Sequence, residues 1–142
     1  MMFLNIVLII ILLFIAVYDA LNYKILNETI AAIACLIIVK FLISTPEGDA
    51  SKHLLYALLT SASVITLYSL GCFGGGDAKL LVVAFFWLSL DKWFSFLYTL
   101  MIITFIYSIS LYIFIRFTSK VTSRTKIPYG PCISLAWIIN LF

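Results

Sequence analysis

Asp77 stands at the end of three consecutive glycines, in the stretch Gly74-Gly75-Gly76-Asp77-Ala78-Lys79, with long apolar runs on both sides. A bilayer accounts for most of the surrounding apolar sequence, but it does not account for this hexapeptide. A carboxylate set beside hydrocarbon is costly and marks a functional position. Adjacent glycines give up helix stability and leave the backbone open to close approach. A second acid, Asp19, closes the first apolar run. Two carboxylates brought together at one membrane depth form an aspartyl dyad, because like charges a few ångströms apart do not both ionise easily. The ionised member takes a proton from water as that water attacks a peptide carbonyl, and the protonated member donates to the carbonyl oxygen or the leaving nitrogen. Asp77 begins an apolar helix, where the helix dipole favours an anion, so Asp77 is assigned as the ionised member and Asp19 as the acid. A coupled pair titrates as a unit. Gly74 and Gly76 leave room for an extended peptide substrate. Lys79 sits where it steadies charge near the dyad or anchors the helix at the membrane face.

Six apolar segments must position these residues. The chain is 65% hydrophobic and 11% charged, with a mean hydropathy of +1.21 and a net charge of +3. A soluble domain carries about twice that share of charge, so an all-α integral membrane protein of one domain, residues 1–142, is expected. The spans are predicted over residues 1–17, 29–43, 54–70, 77–90, 93–115 and 128–142, with a loop over 19–27, a loop over 44–52 and a tight turn at Asp91-Lys92. The fourth is short, about 21 Å against a hydrocarbon core of about 30 Å, which puts Asp77 in a protein-lined dip. Trp93 and Tyr98 fit interface positions.

Asp19 follows span one and Asp77 follows span three, so two crossings return the chain to the same face. The loops on that face carry Lys24, Lys79, Arg116, Lys120, Arg124 and Lys126, against Lys40, Lys52 and Lys92 on the other. The excess of basic residues places the acids in the cytoplasm and both termini outside. Glu47, Asp49 and Asp91 are expected to be solvated loop acids. The basic residues form no patch large enough to hold a nucleic-acid backbone. Cys35, Cys72 and Cys132 are widely spaced and form no metal-binding pair, so each is expected to be a small buried hydrophobe. The single His53 is expected at an interface, and the proposed chemistry needs no metal or cofactor. The same two acids would also suit a small proton-coupled or ion-conducting membrane protein.

The stretch Gly74-Gly-Gly-Asp-Ala-Lys-Leu80 resembles the GxGD signature of type IV prepilin peptidases, which are membrane aspartyl proteases; presenilins and archaeal preflagellin peptidases share the shorter GxGD core. Two further elements match in order. Asp19 is followed by Lys24, Ile25, Leu26 and Asn27, similar to the basic stretch and Ile-Pro-Asn that follow the family's first aspartate, with Leu26 in place of the proline. Ile127-Pro-Tyr-Gly-Pro131 is similar to the element that opens the family's final span. The resemblance implies that Asp19 and Asp77 are the catalytic pair. It also implies that the substrates are prepilin or pseudopilin precursors, cut at a cytoplasmic basic leader just before a hydrophobic helix. It is to the short, peptidase-only members serving Flp-type (tight-adherence) pili, which implies no N-methyltransferase activity.

Overall fold

A computed structural model describes residues 2–43, 50–72, 74–118 and 128–141 of the chain. These residues form six helices: α1 (Met2–Asn22), α2 (Asn27–Ile43), α3 (Ala50–Ser69), α4 (Gly75–Trp87), α5 (Leu90–Thr118) and α6 (Gly130–Ile139). The all-α expectation holds among the described residues.

The two shortest helices are the most enclosed. α4, of 13 residues, buries Ala78, Leu80, Leu81, Val83, Ala84, Phe85 and Trp87 around most of its circumference, with Val82 and Phe86 half-buried and Lys79 exposed on the remaining face. α6, of 10 residues, is buried at Gly130, Cys132, Ile133, Ser134, Ala136 and Trp137. A helix that is apolar all round belongs in the middle of a bundle. α4 and α6 touch each other; α3 and α2 pack on α4, while α1 and α5 pack on α6. Edge-on aromatic contacts join α4 to α5, with Phe85 5.1 Å from Trp93 and 5.9 Å from Phe96 between ring centroids.

The outer helices turn a narrow stripe inward and leave apolar side chains on the outside. α1 buries Leu4, Leu8, Leu12, Ile15 and Asp19, a spacing of four, four, three and four residues that traces one helix face. Asp19 is therefore the last member of the core stripe of α1, and the helix phase itself aims the carboxylate inward. The opposite faces carry exposed Ile10, Leu58, Phe105 and many similar residues. An exposed apolar surface of this extent marks contact with a membrane. Two helices are long and apolar enough to cross a bilayer by length and composition, Met2–Asn22 and the Leu90–Ile113 part of α5. α2 has 17 residues, and α3 is interrupted by Thr60, Ser61, Ser63 and Thr66, whose hydroxyls bond back to carbonyls of their own helix.

Several boundaries differ from those expected. Residues 19–22 are helix rather than loop, because α1 continues until the Tyr23 amide closes on the Asp19 carbonyl at 2.8 Å. Tyr23 takes the left-handed conformation, φ 54°, that ends a helix. Asp91 and Lys92 lie in the first turn of α5, where an acid suits the helix dipole, and the break falls at Leu88 and Ser89. The expected loop over 44–52 loses residues 50–52 to α3, and 44–49 lie outside the described residues, as do Lys120, Arg124 and Lys126. Trp93 is buried and its indole N–H donates to the Leu88 carbonyl at 3.1 Å, so it acts inside the bundle rather than as an interface residue. Of the three cysteines only Cys132 is buried; Cys35 lies on the outer side of α2 and Cys72 in the turn after α3.

Candidate active site

Both predicted acids lie at one end of the bundle, where α1 ends and α4 and α6 begin. Asp19 is 4% exposed. Its Oδ2 accepts the backbone N–H of Gly130 at 2.9 Å, and Gly130 is the first residue of α6. The carboxylate thus caps a helix N-terminus from outside the helix, using an amide that has no partner within it. Glycine is required there: a Cβ on Gly130 would lie 2.6 Å from Asp19 Oδ2 and 2.9 Å from its Cγ and Cβ. Pro131 costs the helix nothing at this point, since first-turn amides lack helical acceptors. The Pro-Tyr-Gly-Pro element is therefore a socket for Asp19.

Asp77 is held by the same chemistry on a different helix. Gly74 is the N-cap of α4, with extended backbone at φ −67° and ψ 148°, and Asp77 is the third helical residue. The Gly74 amide bonds back to the Asp77 carboxylate, the reach-back half of a capping box. A Cβ on Gly74 would lie 2.8 Å from Asp77 Oδ2. Gly76 has a different neighbour: its Cβ would lie 2.9 Å from Cβ of Ile25, a buried residue in the turn between α1 and α2. Gly75 is unlike both, since its Cβ would meet only the Tyr68 ring, at an ordinary 3.5 Å. The turn after Asp19 is thus pressed onto the first turn of α4. Lys79 adds a second tie there, its Nζ donating to Asn27 Oδ1 at 2.9 Å.

The two carboxylates lie within electrostatic range of each other. Cys132 is within range of Asp77, and Tyr107 of Asp19. All five residues singled out in the sequence, Asp19, Asp77, Gly74, Gly76 and Lys79, gather at this end. Three that sequence reasoning did not assign belong with them: Gly130, Ile25 and Tyr107. A signal existed for Gly130, a glycine followed by proline at the start of an apolar run. None existed for Tyr107, one aromatic among many in α5. The dipole argument that made Asp77 the ionised member does not separate the pair, because Asp19 also faces a helix N-terminus. Among the described residues no group of three His, Cys, Asp or Glu side chains is placed to hold a metal ion.

No curated protein and no solved structure matches the chain. The model of the Type IV leader peptidase family matches residues 6–115, which include Asp19, Ile25, Gly74, Gly76, Asp77 and Lys79 and stop short of the Gly130 socket. With more than half of its length matched, the chain belongs to the type IV leader peptidase family.

Proposed function

We propose that this protein is a membrane-embedded aspartyl endopeptidase that removes the basic leader of type IV prepilin-like precursors, with Asp19 and Asp77 as the catalytic pair. The observation that carries the proposal is that each acid is fixed by a glycine amide at a helix N-terminus, and that the two lie within electrostatic range. Acids that merely solvate a loop have no need of such sockets.

In the proposed reaction one carboxylate accepts a proton from a water molecule, and the water oxygen bonds to the scissile carbonyl carbon. The other carboxyl donates its proton first toward the carbonyl oxygen. Collapse of the tetrahedral intermediate breaks the C–N bond, and the leaving amine takes up a proton. The chain's contribution is placement. The Gly130 and Gly74 amides hold one oxygen of each carboxylate, and the contact of Gly76 with Ile25 sets the spacing between the elements that carry them. In this reading the backbone at Gly74 and Gly76 receives the extended peptide, and Lys79 supplies a cation at its edge.

The multi-pass arrangement belongs to the same proposal: six helices within the bilayer, and the acids facing the cytoplasm with the loop lysines and arginines. α4 and α6 are too short to span alone, about 20 and 15 Å at 1.5 Å per residue, and are embedded because longer helices surround them. A proton- or ion-conducting role for the same acids has less support, because a conduction path needs no socket that a single Cβ would fill. The deciding experiment is co-expression with prepilins from the same genome. Wild-type protein should convert precursor to a shorter mature form; precursors that all keep their leader would refute the reading.

A further inference from the structure

At the end of the bundle away from the acids, α4 and α6 stop short of the helices around them and leave a cavity of ≈ 130 Å³. Asn5 of α1, Lys40 of α2, Trp87, Leu88 and Ser89 at the end of α4, Lys92 of α5, and Asn140 and Leu141 after α6 line it. Among the described residues its lining contains two lysines and no carboxylate. Lys40 has one ammonium hydrogen engaged by the Trp87 carbonyl and lies 4.8 Å over the Trp87 ring; two hydrogens remain. The Lys92 ammonium has no hydrogen-bond or ion-pair partner among the described residues. The Asn5 amide and the Ser89 hydroxyl add uncharged donors.

We propose that this cavity binds the phosphate of an anionic glycerophospholipid, with Lys40 and Lys92 as the charged contacts. A half-buried pair of cations with spare donors matches a phosphodiester, whose two free oxygens accept several charge-assisted hydrogen bonds. The surroundings favour a lipid over free phosphate. Phe3, Leu42 and Phe94 each lie two residues from a lining residue, on the outer faces of α1, α2 and α5, and they are 75%, 80% and 85% exposed, so the polar cavity sits at the depth of apolar outer surface suited to acyl chains. The proposal concerns the opposite end from the acids and stands apart from the proteolytic reading.

Native mass spectrometry of the full chain, released from vesicles of mixed phosphatidylglycerol and phosphatidylcholine, tests it. Wild-type protein should retain phosphatidylglycerol selectively. Lys92→Gln should lower that retention about tenfold, the worth of one charge-assisted contact. Lys92→Arg should keep it, and Lys24→Gln, an equal charge change at the acid-bearing end, should leave it unaltered. Equal retention of the two lipids, or the same loss in Lys24→Gln as in Lys92→Gln, would overturn the site. Displacement of the bound lipid by millimolar inorganic phosphate would overturn the assignment to a lipid source.

Discussion

The two ends of α4 are satisfied by opposite chemistry. At its C-terminal end, side chains donate to backbone carbonyls: Lys40 to Trp87, and His53 and the Trp93 indole to Leu88, at 2.7 and 3.1 Å. At its N-terminal end, and at the neighbouring N-terminus of α6, backbone amides donate to carboxylates. The first arrangement spends side chains to quiet a helix end, and each could be exchanged for another donor of similar reach. The second uses helix ends to hold side chains, and the holding residues must be glycine because the carboxylate occupies the place of a Cβ. One end anchors a short buried helix; the other keeps two acids at fixed positions with chemistry still available to them.

The sharpest break of that contrast is Gly130→Ala. The added methyl overlaps the Asp19 carboxylate, so the acid or α6 must move by an ångström or so, and processing should fall by about 10²-fold or more. Prepilin processing per unit of membrane-inserted enzyme measures it, and unchanged processing would dismiss the socket. A smaller effect, of a different kind, belongs to Lys40→Met. It leaves the Trp87 carbonyl without its donor, which should cost about 1–3 kcal/mol of stability, read as a lower thermal midpoint in detergent. Processing by the protein that remains folded should change little. The smallest effect is expected of Gly75→Ala. A methyl there meets Tyr68 at ordinary contact distance, and alanine favours the helix by up to about 1 kcal/mol. Processing and the thermal midpoint should be equal to or slightly above those of the wild type, whereas a loss like that of Gly130→Ala would mean that all three glycines face the substrate.

Much of this was legible in the sequence, for physical reasons that differ by region. Apolar runs bounded by polar and turn residues gave six helices, and the high hydrophobic and low charged content gave the membrane. Asp19 and Asp77 stood out because an acid in such surroundings is expensive. The limits are equally specific. The expected loop after Tyr18 fails because Asp19 looks like a helix-ending polar residue, while its place in the stripe Leu4, Leu8, Leu12, Ile15 makes it core. That stripe could have been read directly. The division of labour among Gly74, Gly75 and Gly76 could not, since it depends on Ile25, far away in the chain, and on how the turn after α3 sets Tyr68 against Gly75. Nor could the Lys79–Asn27 and Lys40–Trp87 contacts, which join residues 52 and 47 positions apart. Trp93 shows the opposite error: an aromatic near a helix start fits an interface belt, but here it is drawn inward by the Leu88 carbonyl.

The central claim is that Asp19 and Asp77 work as one unit, and a mutant cycle tests it most directly. Asp19→Asn and Asp77→Asn each remove one carboxylate while nearly preserving shape, and both should still insert, because an amide is cheaper than a charge in an apolar setting. Each alone should abolish leader removal, and the double mutant should be no worse than either, as expected of residues acting together. Asp91→Asn, at the far end of the bundle in the first turn of α5, should process normally. The measurement is the ratio of mature to precursor prepilin at equal amounts of enzyme in the membrane fraction. Complete loss in both single mutants, with no further loss in the double, is the predicted result; near-normal processing by either single mutant would contradict the paired mechanism.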